Sequence, residues 1–545
     1  MATQSRNQII MEVTESYLST LNSGSLPCAR VIEPDLLECL NDNIELANAG
    51  IMNKDRKHKY LTALPGMSII QIILTLYPIA NLELEGGTKT LALYRSSGEK
   101  EGLYDMDENA IKRLIEQYNP SMTEKGIKDV CEKLERNAPL ISLTRDKDLI
   151  PVNNGVFDYK SKKLLPFSPD MVFMSKSRVD YNPSATNPII HNPDDGTDWD
   201  VDSWMQSLSD DPDVIHLLWQ LLGAIIRPGV PWNKSAWLYA SSGNNGKGTL
   251  CGLMRNICGK GTHASISIRQ FGKDVFLEDL VRVSAIITDE NQPSTYMDSS
   301  DVLKCAITGD PITIDRKFLS KLTFTFRGMI VQCFNELPKI KDRTPSFLRR
   351  LIIIPMPKCY TGVERKYIKE DYIARPEVLQ YVLKKVLNMD YYELSEPQSC
   401  KNELLKFQEY NDPLMQFWNE FRNEFVWDLL PFSFLYDLFC AWSRRFCPSG
   451  KITGHKTFCL ELRKLVANDT EWEATGKSPE ATGSKMDQRE PLIEEYNVKG
   501  WQNPNVCVIY PLQRLRTKSS YRGLVRQIPL VCSSNADGCE EGDTD

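Results

Sequence analysis

Short apolar runs alternate with helical patterns in the middle of the chain. The segments 236–239, 283–288, 328–334 and 351–354 are each four to seven residues long and mostly apolar. Runs of this length are typical of parallel strands that are buried on both faces. The first run is followed by a helical pattern over 250–257. The pattern therefore predicts an α/β core that contains a parallel sheet.

Helical patterns predominate on both sides of this core. A hairpin is predicted over 91–104 and a helix over 107–118, and a further helix over 374–387 follows the core. After Asp412 and Pro413 the chain shows three helical patterns and then a wing. We therefore expect five regions: an N-terminal accessory region (1–95), a mainly helical domain (96–228), the core (229–405), a C-terminal domain (406–530) and an acidic disordered tail (531–545).

A glycine-rich loop joins the first apolar run to its helix. Glycines let backbone N–H groups approach a polyphosphate, and a helix N-terminus favours negative charge. Lys247 is placed to reach the terminal phosphates. The loop departs from the pattern G-x-x-x-x-G-K-[ST], since Ser241 replaces the first glycine and Gly248 replaces the hydroxyl residue. Thr249 or water must then hold Mg²⁺. The candidate nucleotide-binding residues are Gly243, Asn244, Asn245, Gly246, Lys247, Gly248 and Thr249.

Polar residues stand at the ends of the other apolar runs. Asp289 and Glu290 follow the second run, where one carboxylate can hold Mg²⁺ and the next can polarise water. Asn335 follows the third run and can orient the attacking water or contact the γ-phosphate. Arg349 and Arg350 precede the last run, from which a guanidinium can reach the nucleotide of a neighbouring subunit. Together these residues predict a nucleoside triphosphatase.

A second hairpin is predicted between the carboxylate pair and the third run. Its strands are 312–317 and 322–326. Single-stranded nucleic acid is held by cations along its backbone and by aromatic rings. The candidate DNA-binding residues are Arg316, Lys317, Phe318 and Lys321. The chain has a net charge of −7, but 316–358 holds ten Lys/Arg and two Asp/Glu, which favours local contact with phosphates.

The order of these motifs resembles the superfamily 3 helicases, and in particular the phage/plasmid primase-helicases that are related to the poxvirus primase-helicase. The resemblance covers roughly 100–520. It includes four further segments: Val152–Asp158, Leu221–Ile226, Lys304–Asp310 and Leu435–Trp442. It implies an AAA+ type ATPase core that works as a ring, usually a hexamer, with ATP and Mg²⁺ as cofactors and a winged-helix C-terminal domain.

The same resemblance implies a role for each candidate residue. Lys247 would bind the phosphates, Asp289 the Mg²⁺ and Glu290 the water, while Asn335 would act as the sensor. Arg349 or Arg350 would be the arginine finger, and the sequence does not choose between them. The hairpin would be the loop that grips DNA in the ring channel.

Composition excludes several other classes. Fifteen cysteines are scattered without a Cys-x-x-Cys pair, which predicts reduced thiols in the cytoplasm rather than a disulfide framework. The most apolar stretch, 69–82, contains Gln71 and Pro78 and is shorter than the about 20 residues of a membrane-spanning helix. The aspartates of 198–202 are expected to form an acidic loop. Residues 1–95 are too short for a primase catalytic domain, which we expect the chain to lack.

We therefore expect an ATP-dependent, ring-forming DNA helicase that serves replication of a phage, plasmid or other mobile element. Its partners would be single-stranded and forked DNA and further copies of itself, with origin duplex and a polymerase or primase as additional candidates. Two alternatives stay open. The first is a bifunctional primase-helicase with a divergent primase site, and the second is an origin-binding initiator that uses ATP to assemble without processive unwinding.

Overall fold

The computed structural model describes residues 5–21, 28–49, 51, 53, 55, 57–84, 89–272, 277, 280, 283–314, 322–446, 452–486, 488–501 and 518–527. The chain divides into two compact units, Met1–Leu404 and Leu405–Asp545. No helix in these described ranges is long and apolar enough to cross a membrane. The expected acidic tail (531–545) lies outside the described residues.

The first unit begins with helices packed beside a small sheet. Its elements are α1 (Arg6–Thr20), α2 (Ala29–Ala49), α3 (Gly66–Leu76), β1 (Ile79–Glu83), β2 (Lys89–Tyr94), β3 (Tyr104–Asp105), α4 (Glu108–Tyr118), α5 (Glu124–Asn137) and β4 (Leu140–Ser142). The sheet order is β3-β2-β1-β4. The apolar stretch at 69–82 is divided between α3 and β1. The predicted hairpin is present as β2 and β3, and the predicted helix is present as α4, capped by Asp107.

The next segment is richer in strands than the expected mainly helical domain. It contains β5 (Leu149–Val152), β6 (Gly155–Asp158), β7 (Lys163–Leu165), β8 (Ile190–His191), β9 (Asp198–Trp199), α6 (Val201–Ser207) and α7 (Pro212–Ala224). Asn153 and Asn154 join β5 to β6 as a two-residue hairpin turn, for which asparagine is well suited. Asp198 bonds to His191, Asp200 caps α6 and Asp202 pairs with Lys385, so the three aspartates of the acidic loop face different partners.

A five-stranded parallel sheet forms the centre of the first unit. The elements of this core are β10 (Ser235–Tyr239), α8 (Lys247–Cys258), β11 (His263–Ala264), β12 (Ala285–Thr288), β13 (Tyr296–Met297), α9 (Asp301–Thr308), β14 (Pro311–Ile314), β15 (Leu322–Thr325), β16 (Met329–Phe334), β17 (Lys339–Ile340), α10 (Pro345–Leu348) and β18 (Leu351–Pro355). The sheet order is β11-β12-β16-β10-β18, and every pairing in it is parallel. All four strands expected from the apolar runs are therefore present, and the α/β class with a parallel sheet is confirmed.

Helices that follow the sheet complete this hydrophobic core. They are α11 (Lys366–Glu370), a 3-10 helix (Tyr372–Ala374), α12 (Pro376–Asn388) and α13 (Gln398–Asn411). Buried residues of α7, α8 and α12 share one hydrophobic core with β10, β12, β16 and β18. The core therefore fixes α8, and with it the glycine-rich loop, against the sheet.

The second unit combines helices with a small antiparallel sheet. Its elements after α13 are α14 (Pro413–Phe421), β19 (Leu429–Pro431), α15 (Phe432–Phe446), α16 (His455–Leu465), β20 (Trp472–Ala474), β21 (Glu480–Ala481), α17 (Pro491–Glu495), β22 (Ser520–Tyr521) and β23 (Gly523–Arg526). The three-stranded sheet has the order β19-β23-β20. A Cβ at Gly523 would lie 1.9 Å from the Leu430 carbonyl oxygen, so only glycine permits the close approach of these strands.

Candidate nucleotide-binding site

The glycine-rich loop connects the carboxyl end of β10 to the N-terminus of α8. Gly246 immediately precedes the helix with φ +83°, and Asn244 has φ +50°. A side chain at Gly246 would also meet Leu208, whose Cδ2 lies 2.7 Å from the position of a Cβ. The loop thus needs glycine at 246 for its left-handed backbone and for this close approach. As a result, the first N–H groups of α8 lie at the carboxyl edge of the sheet.

Lys247 is a buried ammonium with neutral partners. Lys247 is 5% exposed. Its Nζ donates to Asn335 Oδ1 at 2.9 Å and to the Ala240 carbonyl at 3.4 Å. Burial lowers the pKa of Lys247. Within the described ranges no carboxylate forms an ion pair with it. A buried charge that lacks an opposite charge is unfavourable, so an anion in the loop would stabilise it.

Asn335 lies beside the loop because of the strand register. It follows Phe334, which is the register partner of Tyr239 at the end of β10. The carboxyl ends of β10 and β16 therefore meet, and the predicted sensor amide contacts the predicted phosphate-binding lysine. The structure brings these two sequence-predicted residues together.

The carboxylates after β12 lie at the same edge of the sheet. Asp289 Oδ2 accepts from Arg255 Nη2 at 2.8 Å. Glu290 is exposed and has no hydrogen bond or ion pair with another described residue. Arg255, on α8, was missed by the sequence analysis, where a single arginine in a mainly apolar helix was the only signal. Asp289 therefore has a cationic partner in this structure, and its predicted role as an Mg²⁺ ligand with Thr249 stays a prediction.

A buried polar network holds the backbone next to these carboxylates. Asn291 Nδ2 donates to Gln332 Oε1 at 2.9 Å and to the Cys333 carbonyl at 3.1 Å, while its Oδ1 accepts from the Ile268 N–H at 3.0 Å. Gln332 Nε2 donates in turn to the Ile266 carbonyl at 3.0 Å. Asn291 is 5% exposed and Gln332 is fully buried. The network holds the end of β12 against β16. It thereby fixes the backbone position of Asp289 and Glu290, which follow β12.

The segment after β18 lies against the loop and was also missed by the sequence analysis. The Tyr360 N–H donates to the Asn244 carbonyl at 2.8 Å, and its hydroxyl donates to the Ser207 carbonyl at 2.7 Å. The Asn244 side chain donates to Glu364 Oε1 at 2.9 Å. The only sequence signal was the position of this segment directly after a core strand. It holds the tip of the loop in the left-handed conformation.

The two arginines lie at the opposite edge of the sheet. They precede β18, whose first residue Leu351 is the register partner of Ser235 at the start of β10. Arg350 Nη1 donates to Ser346 Oγ at 2.9 Å, and the Arg349 carbonyl accepts from Lys234. At about 3.3 Å per residue, the length of β10 separates them from the loop by about 13 Å. The structure does not bring them to Lys247 of the same chain.

The structure describes the two paired strands of the predicted DNA-contacting hairpin. β14 and β15 pair in antiparallel fashion from Pro311↔Thr325 to Ile314↔Leu322. The candidate DNA-binding residues Arg316, Lys317, Phe318 and Lys321 lie outside the described residues. Their role therefore stays a prediction.

Comparison with protein-family models gives three consecutive matches. A model described as D5 N terminal like matches residues 68–210, and one described as poxvirus D5 protein-like matches 409–503. Between them, a family of unknown function (DUF5906) matches 238–350, which includes the loop, both carboxylates and Asn335. Two models of D5-like proteins thus flank the candidate site. The chain is therefore similar to D5-like proteins over these two segments. The resemblance expected from the motif order is confirmed, and it supports an enzyme of replication that acts on nucleic acid.

Some solved structures show a weak similarity to this chain. An A form apo structure of the NrS-1 C-terminal region has a TM-score of 0.41 and 12% identity, and the match covers 84% of this chain and 99% of that one. Another apo structure of the same region has a TM-score of 0.39 and 12% identity, covering 71% and 95%. These TM-scores are under 0.5, so the resemblance to D5-like proteins rests on the sequence models. No curated protein matched significantly.

Proposed function

We propose that this D5-like protein is an ATP-dependent, ring-forming DNA helicase that serves replication of a phage, plasmid or other mobile element. The observation that carries the proposal is the buried Lys247 ammonium, which has neutral partners in a glycine-rich loop at a helix N-terminus. A bound triphosphate would supply the missing negative charge.

The surrounding residues support hydrolysis at this site. Asp289 and Glu290 follow β12, and Asn335 follows β16, which lies between β12 and β10 in the sheet. Asp289 would hold Mg²⁺ in place of its ion pair with Arg255, and Thr249 or water would be a further ligand. Mg²⁺ would neutralise charge on the phosphates while Glu290 polarises the attacking water. Asn335 would then exchange its bond to Lys247 for one to the γ-phosphate or the water.

The arrangement of elements supports an AAA+ type core and a winged-helix domain. The glycine-rich loop follows β10, the fourth strand of the parallel sheet. β10 lies between β16, which precedes Asn335, and β18, which follows the two arginines. In the second unit, α14, α15 and α16 precede antiparallel strands, as a winged helix requires. We also propose a cytoplasmic location, since the eleven cysteines described here are all free thiols.

Two variants test the hydrolytic site. Lys247→Ala should weaken ATP binding because it removes the charge that faces the phosphates. Glu290→Gln keeps the shape of the side chain but cannot polarise water, so ATP should bind and remain intact. Lys260→Ala is the matched control, because this exposed lysine lies beyond the other end of α8. Binding is measured by calorimetry and turnover by phosphate release. Turnover at the wild-type rate in the Glu290→Gln variant would refute the assignment.

Activity on DNA separates the helicase from the alternatives. Wild-type protein should unwind a forked duplex in the presence of ATP and Mg²⁺ and should form rings that negative-stain images resolve. Template-dependent primer synthesis would instead support a bifunctional primase-helicase. ATP-dependent assembly on duplex DNA without strand separation would support an origin-binding initiator.

A further inference from the structure

One face of α8 is made of small residues against which the segment after β18 packs. Gly248, Gly252 and Asn256 are spaced four residues apart and therefore share this face. A Cβ at Gly252 would lie 2.9 Å from Ile373 Cδ1, and Asn256 Nδ2 donates to the Ile373 carbonyl at 2.9 Å. Because neither glycine has a side chain, the segment that contains α11 approaches α8 closely along its whole length.

This approach places a lysine at the first turn of α8. The Nζ atom of Lys369 lies 3.3 Å from the position that a Cβ at Gly248 would take. Lys369 is exposed, and its ammonium has no hydrogen bond or ion pair with any residue that the structure describes. Other phosphate loops carry Ser or Thr at the position of Gly248, where the hydroxyl faces Mg²⁺ and the β- and γ-phosphates. In this chain an ammonium occupies the space next to that position.

We propose that Lys369 is a second phosphate-binding cation of the nucleotide site, supplied by the same chain and admitted by Gly248. It contacts the terminal phosphates of a nucleoside triphosphate together with Lys247. The inference rests on the proposed ATP site and adds a residue that lies outside the loop motif. Lys369 supplies positive charge where the hydroxyl ligand of Mg²⁺ is missing, so binding of the triphosphate depends less on Mg²⁺ than in a loop with Ser or Thr.

The test is ATP binding to the full chain, measured by calorimetry in excess EDTA and again with Mg²⁺. Lys369→Met removes the charge and keeps the length of the side chain. In EDTA it should weaken ATP binding about tenfold or more, the usual effect of losing a charge-assisted contact. With Mg²⁺ present the loss should be smaller, since the metal then screens the phosphates. Lys369→Arg should keep most of the affinity under both conditions.

Lys366→Met is the matched control, because Lys366 is an exposed lysine on the same short helix. It should bind ATP like the wild type in EDTA and in Mg²⁺. Equal affinity of the Lys369→Met and wild-type proteins in EDTA would overturn the role of Lys369. So would an equal loss in the Lys366 variant, since that would indicate a general charge effect.

The result also distinguishes this inference from the proposed function. If the wild type binds ATP and Lys247→Ala does not, the nucleotide site stands, and a normal Lys369→Met variant refutes only the second cation. If the wild type does not bind ATP under either condition, the proposed function and the role of Lys369 are both wrong.

Discussion

Replacing Asn291 by alanine should disable the proposed site without touching any residue that faces the nucleotide. Asn291 follows Glu290 directly, and its amide makes three buried hydrogen bonds that connect β12 to β16 and to the segment at 266–268. The alanine variant removes all three. It leaves Gln332 Oε1, the Cys333 carbonyl and the Ile268 N–H without this partner.

The expected loss follows from these contacts. A buried hydrogen bond contributes about 1 kcal/mol, so three of them give a local destabilisation of about 3 kcal/mol. Asn291→Asp should be worse at neutral pH, since a carboxylate oxygen would face the oxygens of Gln332 and Cys333 instead of donating to them. Its stability should recover as the pH falls, because burial among oxygens raises the pKa of a carboxyl and the protonated group can donate.

Hydrogen exchange followed by mass spectrometry is the suitable assay, because a chain of two units need not unfold in one transition. Peptides from β12 and β16 should exchange faster in the Asn291→Ala variant, and phosphate release should fall. Asn81→Ala is the matched control. The Asn81 amide donates to the Glu135 carbonyl at 2.7 Å and to the Ala138 carbonyl at 3.1 Å, far along the chain from the loop.

The control should lose about 2 kcal/mol locally, from two bonds, and keep its ATPase activity. The reasoning fails if Asn291→Ala loses less than about 1 kcal/mol at β12. It also fails if both variants lose activity to the same extent. Either outcome would show that the network does not set the position of the two carboxylates.

Three further predictions follow from the sequence and the structure. Replacing both Lys317 and Lys321 by alanine should preserve basal ATPase but reduce its stimulation by single-stranded DNA, and that stimulation should depend less on salt than in the wild type; normal unwinding at moderate salt would contradict the channel hairpin. Arg349→Ala or Arg350→Ala should bind ATP but turn over slowly, and mixing such a variant with Lys247→Ala should restore part of the activity, whereas no rescue in confirmed mixed rings would argue against a shared site. Burial raises the pKa of Glu490, so the contribution of this carboxyl to the stability of the fold decreases as the pH rises above about 4.5. The Glu490→Gln variant should therefore gain stability relative to the wild type between about pH 4.5 and 7, as measured by hydrogen exchange.

The parallel sheet could be predicted because each of its main strands is a continuous apolar run. Polar residues at the ends of two runs also indicated one edge of the sheet, and the structure places Asn335 against Lys247 there. β11 was not predicted, since it has only two residues and shows no periodicity. In the segment before the core, short strands such as β5 and β6 were missed because local turns rather than long apolar runs define them.

The partners of the site residues could not be predicted for a different reason. Arg255 pairs with Asp289 across 34 positions of sequence, and Lys369 approaches Gly248 from 121 positions away. Both contacts depend on how helices pack on α8, which a local pattern does not encode. In the sequence, Gly248 is a departure from a known motif. In the fold, the absence of a side chain at this position leaves space for Lys369.

The position of the arginines limits which assemblies are compatible with a shared site. Lys247, Asp289 and Asn335 lie at the carboxyl edge of the sheet, and Arg349 and Arg350 lie at its amino edge. In a two-fold dimer each contact occurs twice, so the amino edge of each subunit can meet the carboxyl edge of the other only if one self-complementary surface includes both edges. A heterologous contact between the amino edge of one subunit and the carboxyl edge of the next brings an arginine to a neighbour's nucleotide without that condition. Repeating such a contact closes into a ring when the rotation permits, and every subunit then contributes one arginine pair and receives one. A monomer with full ATPase activity would therefore be incompatible with the proposed arginine role, even if the phosphate loop were assigned correctly.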